Sequence, residues 1–218
     1  MPSTDAAATA LRRQLRFVYW IGGGSGAGKS TIARRIGEVY GWRVYSTDEV
    51  MADHARRSRP ERAPLLHRFM SMSMDERWVR RSPTVMLETF HWFQGESFDL
   101  IVEDLLGLAR EHGVIVEGFR LLPRLVKPLL AAPSQAVWLL PTPTFREAAF
   151  ESRGGARSGF LARTTDPETA MRNLLERDRL FTDLLRQETA RLAMSTIQVD
   201  GTTPEDDLVR QVTEAFGL

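Results

Sequence analysis

Read for periodicity, the chain carries five short apolar runs, at residues 17–21, 43–46, 114–116, 136–140 and 196–199, with the length and composition of buried strands. Most are separated by stretches whose apolar positions recur at helical spacing. Strands that alternate with helices predict a parallel sheet covered on both faces, so the expected class is α/β with five parallel strands. Two intervals are too long for a simple crossover. Residues 50–110, dense in Arg, Trp, Phe and Met, predict two or three helices forming a cap. Residues 152–166, SRGGARSGFLARTTD, lie between helical patterns and predict a mobile, arginine-rich lid. The first 15 residues predict a frayed tail or an irregular helix. With no internal repeat or low-complexity tract, residues 1–218 are expected to form one domain.

Composition narrows the chemistry. At 43% apolar, a chain of 218 residues can bury a sizeable core. Its 29 basic and 28 acidic residues leave a formal charge of +1, which offers no global attraction to nucleic acid or an anionic membrane. The absence of Cys excludes disulfides, Cys-ligated zinc, iron–sulfur clusters and thiol nucleophiles. No apolar stretch has the length of a signal or a membrane span, so a cytoplasmic location is expected. Catalysis therefore falls to oxygens, nitrogens or a bound ion. Lysine is used sparingly: Lys29 and Lys127 stand among 27 arginines.

After the first strand comes GGGSGAGKST, which contains the pattern G-x-x-x-x-G-K-[ST] as Gly23, Gly28, Lys29 and Ser30. Glycines let the backbone curl so that successive N–H groups point at phosphate oxygens, and the helix that starts near Lys29 adds its positive dipole end. Lys29 can reach the β- and γ-phosphates, and the Ser30 hydroxyl can ligate Mg²⁺. Gly23, Gly24, Ser25, Gly26, Ala27, Gly28, Lys29, Ser30 and Thr31 are thus the expected triphosphate-binding residues. In shuffled chains of this composition such a match arises about once in 700, even before the strand–loop–helix context is required.

These residues resemble the P-loop NTPase superfamily, and the whole pattern is most similar to the small P-loop kinases of the nucleoside, shikimate, gluconate and 2-phosphoglycerate type. The resemblance implies a P-loop NTPase-like three-layer sandwich, a helical cap and a lid, with ATP and Mg²⁺ as cofactors. A Ras-like GTPase would carry N-K-x-D, yet Asn173, in RNLLER, is the one asparagine of the chain. An L-S-G-G-Q-like signature is absent, and the chain is too short for helicase or AAA cores.

Ligands of open α/β sheets lie at the carboxyl ends of the strands, so acids there matter most. Asp48 follows the second strand in VYSTDEV, and Glu117 ends the third in VIVEGF. A carboxylate at Asp48 suits an alcohol that must lose its proton as the γ-phosphoryl arrives, and the resemblance implies such contact with the acceptor; the alternative is that Ser46, Thr47 or Asp48 caps the next helix. Glu117 resembles the E-G of uridine-kinase-like and 2-phosphoglycerate-kinase-like proteins, which implies a place near Mg²⁺ and substrate, and Gly118 is expected to leave room beside the phosphates. Asp99, Glu103 and Asp104 read as a solvated helix face.

Bidentate guanidinium groups answer the charge that phosphoryl transfer spreads over oxygens. The candidates are Arg146, Arg153, Arg157, Arg163, Arg172, Arg177 and Arg179, with Arg153 and Arg157 preferred. The cap interleaves Arg56, Arg57, Arg59, Arg62, Arg68, Arg77, Arg80 and Arg81 with Phe69, Trp78, Trp92 and Phe93. This predicts either a pocket for an anionic or ring-bearing acceptor, a stacking platform, or rings packed inward under solvated arginines. His54, His67, His91 and His112 lack metal-ligand spacing and read as core or surface residues. Near the C-terminus, VDGTTPEDD predicts a helix capped by Thr203 with Pro204 in its first position, and the resemblance implies adenine contact from Gly201, Thr203 and Pro204.

The expectation that results is a kinase that moves the γ-phosphoryl of ATP to a hydroxyl group of a small molecule. Lys29, Asp48, Arg153 and Arg157 would be catalytic, and Ser30 and Glu117 would attend the metal. A nucleoside monophosphate kinase, a polynucleotide 5′-kinase and a non-catalytic ATP-binding regulator are the alternatives. Neither a nucleic acid nor a membrane is an expected partner.

Overall fold

The computed structural model describes residues 4–108 and 113–218. Five strands, β1 (Val18–Gly23), β2 (Arg43–Ser46), β3 (Val114–Glu117), β4 (Ala136–Pro141) and β5 (Ser195–Val199), form an all-parallel sheet in the order β2-β3-β1-β4-β5. In register, Val18 lies beside Val114, Trp20 beside both Val116 and Ala136, and Ser46 beside Glu117. The helices are α1 (Thr4–Gln14), α2 (Lys29–Tyr40), α3 (Met51–Arg57), α4 (Pro64–Ser71), α5 (Met74–Trp78), α6 (Pro83–Thr89), α7 (His91–Gln94), α8 (Phe98–Gly107), α9 (Pro123–Val126), α10 (Pro143–Glu151), α11 (Pro167–Arg191) and α12 (Glu205–Phe216). The α/β class and the P-loop NTPase-like three-layer sandwich are therefore as expected, and each strand starts and ends within two residues of its predicted run.

Burial follows strand order. β3 and β4 are buried along their whole length, as strands covered on both faces must be, whereas the edge strand β2 is half open. Alternation along β1 divides the core: Val18 and Trp20 join a large cluster with the cap and α11, while Ile21 joins a smaller one with α2 and α12. On α2, Ile32, Ala33 and Ile36 fall on one stripe and pack into the smaller cluster.

Several helix starts are written in their side chains. Ser73 and Glu76 form a reciprocal capping box on α5. Ser82, Thr142 and Asp166 accept backbone N–H groups at the starts of α6, α10 and α11, each with Pro at the next position.

Three expectations change. The N-terminal stretch is a regular helix over Thr4–Gln14, because Leu15 is buried behind it and Arg12 Nε donates to Pro128 O at 2.9 Å. The cap is built from six short helices, α3–α8, rather than two or three: the capped starts at Ser73 and Ser82 and the prolines at 64 and 83 break it into pieces. The last helix begins at Glu205, with Pro204 rather than Thr203 at its cap, because Pro204 has extended ψ and no side chain caps that end. The segment between α10 and α11 holds two 3₁₀ turns, Gly155–Arg157 and Leu161–Arg163, anchored by buried Ala156 and Leu161. Among the described residues no helix is long and apolar enough to cross a membrane.

Candidate active site

The glycine-rich loop runs from β1 into α2 along the carboxyl edge of the sheet. Gly26 and Gly28 both adopt positive φ, 80° and 77°, which bends the backbone around a cavity of about 170 Å³ whose wall includes residues 25–31. Gly23 and Gly24 stand behind this cradle. A Cβ on Gly23 would lie 2.0 Å from Leu139 O, and one on Gly24 would meet Thr182, Pro141 and Arg146, so packing against β4, α10 and α11 requires these two glycines. Lys29 is buried, its Nζ donating to Gly24 O at 2.7 Å. Burial pulls its pKa down, while Glu117, Asp48 and Asp178 work against that shift.

The two strand-end acids share the same cavity. Glu117 is almost fully buried, in register with Ser46 on β2 and Ile21 on β1, and its Oε1 accepts from Ser46 Oγ at 2.5 Å. Its other oxygen, Oε2, is buried with no hydrogen-bond partner in the described structure. Burial pushes the pKa of Glu117 up, partly offset by Ser46, Lys29 and Ser30. Asp48 faces the cavity from the turn after β2, with an open side toward solvent. The pKa of its carboxyl is nonetheless raised by desolvation in the cleft, which outweighs Lys29, Arg120 and Thr47. The capping alternative for Ser46, Thr47 and Asp48 is not adopted: α3 starts at Met51 behind Val50, without a side-chain cap.

Gly118 does not leave room for phosphate, because Thr47 takes that space. With φ of 146°, a Cβ there would lie 1.7 Å from Thr47 Oγ1, so the glycine lets the turn carrying Asp48 close onto the end of β3. Thr47 N donates to Glu117 O at 2.9 Å, completing the join.

Arg120 is a residue that sequence reasoning missed. Nearly inaccessible, it donates from Nη1 to Thr47 O and from Nη2 to Ser97 O, both at 3.3 Å, and lies 3.9 Å over the Trp92 ring. Burial lowers its pKa to about 10 against the pull of Tyr45, Asp48 and Asp104. It binds the Asp48 turn to the cap. Its signal was its place directly after E-G-F at a strand end, masked by the abundance of arginine.

The expected lid arginines separate in space. Arg153 lines the cavity of the glycine-rich loop, whereas Arg157 and Arg163 are exposed and outside its wall. Arg146 is buried under the loop, donating from Nε to Ser25 O at 3.3 Å and from Nη2 to Thr182 Oγ1, so it braces the cradle from behind. Arg177 is buried against Asp178, Nη2 to Oδ1 at 2.5 Å, which takes up its charge. Arg172 and Arg179 bond to neighbours on α11. Gly201 packs against Phe145 beyond β5; with Thr203 and Pro204 it lies past the carboxyl end of that edge strand.

The cap supplies a second cavity of about 310 Å³, lined by Phe69, Trp78, Phe90 and His91 among others. Ser25 and Phe119 line both cavities, so the second adjoins the cradle of the glycine-rich loop. Trp92 and Phe93 pack inward as well. Asp104 is not the solvated acid expected: it accepts from Tyr45 Oη at 2.6 Å, Arg57 Nη1 at 2.8 Å and His54 Nε2 at 2.8 Å. Asp99 and Glu103 are exposed and paired with Arg62 and Arg57. His54 and His91 are buried core residues, and His112 lies outside the described residues.

No protein-family model matches the chain, and no curated protein is similar to it in sequence. Among solved structures it is similar to an uncharacterised protein from Eubacterium ventriosum ATCC 27560, with 14% identity, a TM-score of 0.48, and coverage of 93% of this chain and 98% of that one. It is also similar to a gluconokinase from Sinorhizobium meliloti 1021, with 19% identity, a TM-score of 0.43 and coverage of 93% of each chain. Both likenesses are of overall architecture.

Proposed function

We propose that this protein is an ATP- and Mg²⁺-dependent kinase that transfers the γ-phosphoryl group to a hydroxyl of a small molecule. The observation that carries this reading is the meeting, in one cavity, of the glycine-rich loop, Lys29 and two carboxyls delivered by adjacent strand ends, Asp48 and Glu117. Nucleotide binding alone would use the loop and the lysine. The second carboxyl and Arg153 are what transfer adds.

In this reading the N–H groups of residues 25–31 bind the triphosphate and Lys29 shares its charge. Ser30 and Glu117 fit a hard cation, since both line the same cavity and Oε2 of Glu117 is buried without a partner that satisfies it. When bound, Mg²⁺ neutralises charge on the phosphate oxygens. The acceptor oxygen forms a bond to the γ-phosphorus as the bond from that phosphorus to the β–γ bridging oxygen breaks. The hydroxyl proton passes to Asp48, and ADP leaves. Arg153 faces the transferred group from the lid side. Gly118 and Arg120 hold the Asp48 turn, so the base is placed by packing and by hydrogen bonds to the backbone.

The test is transfer of label from γ-labelled ATP into a pool of cell-extract small molecules. Label in an organic product that Lys29→Met abolishes is the expected result. Release of inorganic phosphate alone, at the same rate with and without the pool, would defeat the proposal.

A further inference from the structure

The second cavity is the least explained feature beside the cradle. Phe69 meets Trp78 edge-on at 5.7 Å and Phe90 at 5.4 Å, and Phe160 of the lid closes on Trp78 at 4.8 Å. Such walls favour flat apolar surface, which gains both from burial and from ring geometry. A polyhydroxylated acceptor would leave hydroxyls unpaired against these rings.

The cation in the wall is not an anion receptor. Arg177 is paired with Asp178 and surrounded by Trp78, Phe90 and Phe93, its guanidinium carbon 4.7 to 5.2 Å from the three ring centres. Yet His91, Arg177 and Asp178 line this cavity beside the rings, so its wall is not wholly apolar.

Resting on the kinase reading above, we propose that the acceptor is an uncharged, planar ring-bearing alcohol. Its ring is held in this aromatic cavity, its polar edge turned to His91 and the Arg177–Asp178 pair, and its hydroxyl directed past Ser25 and Phe119 to the γ-phosphoryl. The transfer is the one already written: the ring alcohol's oxygen gains the phosphoryl group from ATP, ADP leaves, and the proton goes to Asp48. Phe160 makes the segment between α10 and α11 part of the acceptor site.

The experiment combines binding and turnover. Thymidine and 2-phenylethanol serve as ring alcohols, gluconate and glycerol as polar alcohols, and thymidine monophosphate as the anionic probe. Binding is read by tryptophan fluorescence, because Trp78 lines the cavity, and turnover by ADP formation. At least one ring alcohol should bind and be phosphorylated with kcat/KM about 10²-fold above either polar alcohol. Phe160→Ser, at a position 41% exposed and so safe for the fold, should weaken its binding about tenfold with ATP affinity unchanged. Binding of neither ring alcohol at millimolar concentration, preference for the polar or anionic probes, or indifference to Phe160→Ser overturns the proposal. Failure of the kinase reading is distinct: ring alcohols would still bind, in wild type and in Lys29→Met alike, but without any product.

Discussion

At the scale of single residues, the site is a set of ionisable groups whose pKa values burial displaces from their ordinary positions. Burial raises the pKa of Asp48 even with Lys29 and Arg120 nearby, which moves it toward the range where a carboxyl can accept a proton and still be ionised at working pH. We predict that kcat/KM rises with pH through a carboxyl pKa above the ordinary Asp value, and that Asp48→Asn loses about 10²-fold or more in kcat and abolishes this limb. ATP affinity unchanged in calorimetry would separate loss of the base from loss of the nucleotide site, whereas near-full activity would point to an acceptor that is already ionised, such as a phosphate. Glu117 makes the opposite case in stability. Its pKa is raised in the folded protein, so stability present below the ordinary Glu pKa is lost as pH rises through the folded value. Glu117→Gln should therefore raise the melting midpoint at neutral pH while lowering turnover; a lower midpoint would mean that Ser46 and Lys29 repay the burial. Both acids were legible in the sequence because they end strands. Arg120 was not, because nothing in a chain of 27 arginines marks the one whose partners, Thr47 and Ser97, are 73 and 23 residues away.

At the scale of elements, the strands could be read to within two residues because apolar runs bounded by turns have few alternatives. The cap could not. Its helices are only 4 to 10 residues long, too short for a 3.6-residue period to establish itself, and their ends depend on capping boxes and prolines that weigh little against an aromatic-rich background. What joins the cap to the sheet is a polar hub no periodicity reports: Asp104 on α8 receives Tyr45 from β2 and His54 and Arg57 from α3. Burial would push its carboxyl up, but these three hydrogen bonds overcome it and hold its pKa at about 2. A depressed carboxyl stabilises above its unfolded pKa, and that contribution is lost as pH falls from about 4 through about 2. Taken as a shift from 3.8 to about 2, it amounts to about 2 kcal/mol. Asp104→Asn should lower the melting midpoint by about 4–8 °C at neutral pH, with the difference from wild type shrinking by pH 2. An unchanged midpoint at pH 7 would show the hub to be dispensable.

At the scale of the molecule, the question is whether the cap is a separate body laid over the sheet or part of the same core. Trp20, Val116 and Trp138 of the strands fall in one continuous apolar cluster with Leu66, Trp78, Met86 and Phe90 of the cap. α11 binds both, for Asn173 donates to Trp78 O and Val79 O at 3.1 Å while Phe181 stacks on Phe93 at 3.6 Å. The lid is tied to the cap as well, through Thr165 N and Oγ1 on Asp75. A core shared in this way unfolds as a unit. Far-ultraviolet circular dichroism, which follows helices and sheet, and tryptophan fluorescence, which reports from Trp78 and Trp92 in the cap and from Trp20, Trp42 and Trp138 on the sheet side, should therefore give coincident melting curves. Nucleotide binding at the sheet edge must then move the whole transition, not the loop alone. With Mg²⁺ and ATP at 100 times the dissociation constant, the gain is about 2.7 kcal/mol, or about 5–11 °C for a domain of this size. The shift should appear equally by both probes and vanish in Lys29→Met. Two separated transitions, with the nucleotide moving one of them, would make the cap an independent domain and would detach its aromatic cavity from the energetics of the phosphate site.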